Sequence, residues 1–103
     1  MTDMEQYYVG TDLKFKLELT AEGFDQSTDR YYVDVYCEGA WQHIENTDIV
    51  EGSDGFYMTI NTEGFMPGIV KMVVTAFVPD EECPGGVRKE VGVQTLCQII
   101  NTL

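Results

Sequence analysis

The chain has 103 residues, with eighteen carboxylates against six basic side chains and a net charge of −12. Nucleic-acid binding neutralises phosphates with Lys and Arg, and the six here are scattered at Lys14, Lys16, Arg30, Lys71, Arg88 and Lys89, so neither a nucleic acid nor an anionic membrane is an expected partner. A hydrophobic fraction of 44%, with one tryptophan, six tyrosines and five phenylalanines, suits one core, so a single domain over residues 1–103 is expected.

The opening Met1-Thr2-Asp3-Met4-Glu5-Gln6 carries neither the basic nor the apolar region of a secretion signal. Nowhere does a run approach the roughly 20 apolar residues of a membrane span. The expectation is a protein made and assembled in a cytoplasm, or a processed product. Hydrophobic period 2 then governs nearly the whole chain. Leu13-Lys14-Phe15-Lys16-Leu17-Glu18-Leu19 alternates cleanly and reads as a strand with its four apolar side chains inward. Residues 21–29 form a break and a polar loop. The run 31–38 is the second strand, with Tyr31, Val33, Val35 and Cys37 on one face, and Gly39-Ala40 turns it into a third over 41–44.

Ile49-Val50 and the Asp54-Gly55 turn introduce a strand over 56–60, with Phe56, Met58 and Ile60 inward. An irregular crossing over 61–66, with one helical turn, is closed by Pro67-Gly68. The run 69–78 is the longest strand. An acidic Pro/Gly loop over 79–86 precedes a last strand or strand pair over 87–100, bent at Gly92. Short strands with turn signals every eight to twelve residues or so are the pattern of a sandwich. The fold class expected is all-β, an immunoglobulin-like sandwich of about seven antiparallel strands.

Two strands break the sandwich rule of one solvated face. In 69–78 the even positions are apolar and so are most odd ones; Val91, Val93, Leu96, Cys97, Ile99, Ile100 and Leu103 repeat the pattern. Something must cover the outer face, either the segment Tyr7-Tyr8-Val9 or a neighbouring subunit. The outward tyrosines Tyr32, Tyr36 and Tyr57, with Val70, Met72, Val74, Leu96 and Ile100, are the candidate interface residues. Trp41 is expected as the central core aromatic.

Catalytic chemistry finds no foothold. The one histidine, His43, sits in a strand, and the two serines, Ser27 and Ser53, lie in loops without a nucleophile elbow around them. Asp48, Glu51 and Asp54 surround a turn, but their spacing is not that of an EF-hand, and Asp80-Glu81-Glu82 reads as a solvated loop tip. No catalytic residue, metal site or cofactor is expected. Cys37, Cys83 and Cys97 have no metal-type spacing. A bridge between Cys37 and Cys97 is open across two strands, but reduced thiols fit better.

The charged alternating strand at 10–17, the Asp54-Gly55-Phe56-Tyr57 hairpin, the Gly64-Phe65-Met66-Pro67-Gly68 crossing and the long strand ending in Pro79-Asp80 come in a recognisable order. This order resembles the small immunoglobulin-like virion proteins of tailed phages, including those of crAss-like phages of gut Bacteroidales. It is also similar to the N-terminal domains of phage baseplate upper proteins. The resemblance implies a non-enzymatic virion subunit: a head-fibre, capsid-decoration or baseplate adaptor protein assembled in the host cytoplasm. It implies a homodimer or homotrimer that docks on other virion proteins. A carbohydrate- or protein-binding immunoglobulin-like module of a gut bacterium is the alternative.

Overall fold

The structure is a computed structural model that describes residues 4–101. Met1-Thr2-Asp3, read above for a leader, and Leu103, counted in the C-terminal apolar run, lie outside them. Among the described residues the chain forms β1 (Gln6–Tyr8), β2 (Asp12–Leu17), β3 (Tyr31–Cys37), β4 (Ala40–Glu45), β5 (Val50–Gly52), β6 (Gly55–Asn61), β7 (Gly68–Pro79) and β8 (Val87–Ile100). A five-stranded sheet has the order β1-β8-β7-β3-β4, and a three-stranded sheet the order β2-β6-β5. The two sheets enclose one apolar core as an immunoglobulin-like sandwich. Every pairing is antiparallel except that of β1 with β8, which is parallel. The larger sheet is therefore mixed rather than antiparallel throughout.

The alternation read in the sequence sets the core. Val33 and Val35 face Val74 and Met72 across the β3–β7 ladder, and Leu13 faces Ile60 across β2–β6. All six are buried, as are Tyr31 and Met58. The aromatic at the heart of the sandwich is Tyr31, 1% exposed, with Phe24 edge-on at a centroid distance of 6.1 Å. Trp41 is 67% exposed, which corrects its expected core position: it stands on β4 at the sheet's edge, opposite outward Tyr36.

The hairpin joining β3 to β4 needs Gly39, whose φ of +82° lies in the left-handed region; a Cβ there would stand 2.9 Å from Met66 Sδ. The crossing over 61–66 is a turn without a helix, closed by the Phe65 N–H donating to the Thr62 carbonyl at 3.0 Å. Thr62 is fully buried. Its hydroxyl accepts from the Gly10 N–H at 2.8 Å and donates to the Thr11 carbonyl at 2.7 Å. One side chain thereby ties the β1–β2 turn to the β6–β7 crossing.

The last strand is continuous, and its irregularity falls at Leu96 rather than Gly92. Val70 pairs with Cys97 and Lys71 with Thr95, so Leu96 is the extra residue of a β-bulge. A one-residue insertion reverses which residues face inward. Cys97 and Ile99 are buried, whereas Val91 and Val93 are exposed and share the outward face with Thr75 and Val73. Cys37 and Cys97 are buried free thiols, and burial pushes the Cys97 thiol up to about 11.

Candidate interaction face

The outward face of the larger sheet is built from three rows of four residues, fixed by the ladders between β4, β3, β7 and β8. They are Glu45–Tyr32–Thr75–Val91, His43–Asp34–Val73–Val93 and Trp41–Tyr36–Lys71–Thr95. Ile69 and Phe77 extend the β7 column. Trp41, Val93 and Val91 are 67%, 66% and 59% exposed, and Tyr36 and Ile69 are exposed as well. One end of the face is covered by its own side chains. The Arg30 guanidinium lies 4.8 Å from the Phe77 ring centre and 5.6 Å from that of Tyr32, over which Phe77 and His43 also pack. The other end, around Trp41, Tyr36, Ile69 and Val93, is bare.

β1 leaves this face open. It adds to the sheet's edge beside β8, with Tyr7 opposite Ile99 and Tyr8 opposite Ile100, and so widens the sheet instead of covering it. Of the two coverings open to this face, that by residues 7–9 is absent among the described residues.

The expected interface residues do not come together. Val70, Met72 and Val74 are corrected: they are 0%, 4% and 9% exposed, because their phase on β7 is set by Val35 and Val33 on β3. They are core: Val70 is fully enclosed, and Met72 and Val74 reach only the groove between β2 and β8. Their outward counterparts are Ile69, Val73 and Phe77. Tyr32 and Tyr36 lie on the outer face of the five-stranded sheet. Tyr57 lies on the opposite side of the molecule, on β6, where its hydroxyl is 2.8 Å from both Asp54 carboxylate oxygens and Lys14 Nζ is 4.6 Å from its ring centre. Leu96 is half-buried at the bulge and lines an open groove of about 730 Å³ between β2 and β8. Ile100 is half-buried at the β1 junction.

Trp41, Ile69, Val73, Phe77, Val91 and Val93 are outward apolar residues the sequence reading did not select. Val91, Val93, Cys97 and Ile99 share one parity, so an unbroken strand would turn all four inward. The trace of the bulge in the sequence is the adjacent apolar pair Leu96-Cys97.

His43 is the centre of the polar part of the face. Its Nδ1 is 2.7 Å from Asp34 Oδ1 and its Nε2 2.5 Å from Glu45 Oε2. The Glu45 carboxylate, and then that of Asp34, raises the His43 pKa above its ordinary value. The carboxylates bind opposite edges of the ring, so the three groups do not converge on a point where an ion would sit. Among the described residues no group of three His, Cys, Asp or Glu side chains is placed to hold a metal. The acidic loops are engaged internally, Asp54 by Tyr57 and Asp80 by Arg88 and the Glu82 N–H.

Charge is distributed unevenly. On and beside this face stand Arg30, Lys71 and Lys89 against Asp34, Glu38 and Glu45. The face is neutral with His43 uncharged, in a molecule of net charge −12, so the whole excess lies elsewhere. An apolar, exposed, neutral sheet face on an otherwise acidic domain is equipped to bind another surface. No protein-family model, curated protein or solved structure matches the chain.

Proposed function

We propose that the chain is a non-enzymatic structural subunit of a tailed-phage virion, of the head-fibre, capsid-decoration or baseplate-adaptor class. It works by homo-oligomeric assembly and by docking to other virion proteins. The observation that carries the reading is the bare outer face of the five-stranded sheet, with Trp41, Tyr36, Val91 and Val93 exposed together. A domain that acted alone would gain nothing from such a patch and would incur an aggregation risk. Family resemblance supplies the virion context, and the acidic remainder of the surface keeps a subunit soluble at high local concentration. Mass spectrometry of gradient-purified particles from the source of the gene tests this: the chain in stoichiometric ratio to the capsid protein supports it, and its absence from particles overturns it.

A second reading has its own observation. Trp41 and Tyr36 are exposed neighbours on adjacent strands, which is an aromatic surface on which a sugar ring can stack. Saturable binding on a glycan array, lost in Trp41→Ala, would establish a carbohydrate-binding module instead.

A further inference from the structure

The outer face is divided into two unlike halves. The β3–β4 half carries the aromatics Tyr32, Tyr36 and Trp41, with Asp34, Glu38 and Glu45 against Arg30, a net of −2. The β7–β8 half carries the aliphatics Ile69, Val73, Val91 and Val93 and one aromatic, Phe77 beneath Arg30, with Lys71 and Lys89, a net of +2. The boundary between them is the β3–β7 ladder, in the middle of the four strands. A two-fold axis along that ladder, lying in the plane of contact, places the β3–β4 half of one copy over the β7–β8 half of the other. The acidic half of each copy then meets the basic half of the other, twice over.

From this self-complementarity we infer that the occupant of the face is a second copy of the same chain, docked face to face in an isologous dimer. The inference rests on the reading of the chain as an assembling subunit and adds to it the surface, the symmetry and the pairs. Isologous contacts are self-complementary by definition, and they close rather than propagate. Trp41 lies over the Val93–Thr95 stretch of the second copy, Asp34 and Tyr36 approach its Lys71, and Glu45 approaches its Lys89. Sandwich sheets pack about 30° from aligned, and the long Lys71 and Lys89 side chains span the one-row offsets to Asp34 and Glu45. β4 and β3 are six and seven residues long, and with about nine facing residues on each of β7 and β8, strands about 4.8 Å apart cover about 500 Å² of flat sheet. Side-chain relief carries the accessible area toward the roughly 800 Å² per partner of a standard interface. Two copies of charge −12 repel each other over the rest of their surfaces, and this neutral face is where that repulsion is least.

The symmetry gives a test that the existence of an oligomer alone does not. In Asp34→Lys, both copies of a homodimer set the introduced lysine against Lys71; in Lys71→Glu, both set Asp34 against the introduced glutamate. Mixed, the two variants pair the introduced lysine with the introduced glutamate at one contact and native Asp34 with native Lys71 at the other, so that both contacts join opposite charges. Sedimentation equilibrium is expected to show a dimer for the native chain and, for each variant alone, a dissociation constant raised at least about tenfold, equivalent to about 1.4 kcal/mol. The equimolar mixture should recover affinity as a heterodimer. Val93→Asp, at an exposed position, should be folded by circular dichroism and monomeric by sedimentation equilibrium. An oligomer that survives Val93→Asp, or single variants that the mixture does not rescue, overturns the face-to-face dimer but leaves the subunit reading intact. A native chain that is monomeric at every concentration overturns the dimer and the self-association in that reading together, while the presence of the chain in particles tests its virion role separately.

Discussion

His43 couples the outer face to pH. Glu45 and Asp34, which face its ring from β4 and β3, raise its pKa, and Arg30, 3.6 Å from Glu45, is the cation that competes for the same carboxylate. A raised pKa means that the folded state binds the proton more tightly than the unfolded chain. The stabilisation is fully present below the unfolded value of about 6.5 and is lost as pH climbs through the raised folded value. Urea denaturation of Val93→Asp, which removes assembly from the measurement, should show stability falling as pH rises above about 6.5. Adding His43→Gln should flatten that component, and an unchanged slope would contradict the assignment.

Thr62 acts at the same scale with no charge involved. Removing its hydroxyl in Thr62→Val leaves the Gly10 N–H and the Thr11 carbonyl without their partner. The expected loss is about 1–3 kcal/mol, read from the midpoint of chemical denaturation. Nothing in the local sequence announces this role. Thr62 lies in an irregular crossing, and its partners are some fifty positions away along the chain.

At the scale of elements, alternation carried most of the fold. Residues 13–19, 31–37 and 56–60 follow period 2 and face as read, because each belongs to a sheet with one buried side. Where both faces of a strand are apolar, alternation loses its power to assign a side. On β7 the choice is made by its ladder with β3 and on β8 by the bulge at Leu96, both contacts between distant residues. The candidate site was legible only in part for that reason: Tyr32 and Tyr36 could be placed from their own strand, but Val70 and Val93 could not. A matched pair of substitutions tests the assignment. Val70→Asp, which buries an unpaired carboxylate at a position 0% exposed, should unfold the domain. Val93→Asp should leave the denaturation midpoint of the monomer within about 0.5 kcal/mol of its native value. Equal effects of the two would mean that β7 and β8 are wrongly phased.

The free edge of β2 is another feature of this scale. The Gln26 side chain lies against it, donating to the Leu17 carbonyl at 3.0 Å and accepting from the Leu19 N–H at 3.1 Å. It takes the place that the backbone of a neighbouring strand would take. That end of the edge is thereby closed to strand-to-strand pairing.

Over the whole molecule, the separation of charge gives the acidity its sense. An even distribution of the −12 net charge would make every surface repel its copy. Holding one face neutral confines attraction to that face and leaves the rest of the domain repulsive, which favours a defined assembly over a disordered one. That face is reported by the chain's only tryptophan, Trp41, at its exposed β4 end. Its emission, followed while the native protein is diluted from high micromolar to low nanomolar concentration, reads the surface directly. If the outer face is an association surface, the spectrum starts blue-shifted, with the indole buried between copies, and moves to the red along a single binding curve. A red, solvent-exposed spectrum that is the same at every concentration would contradict it.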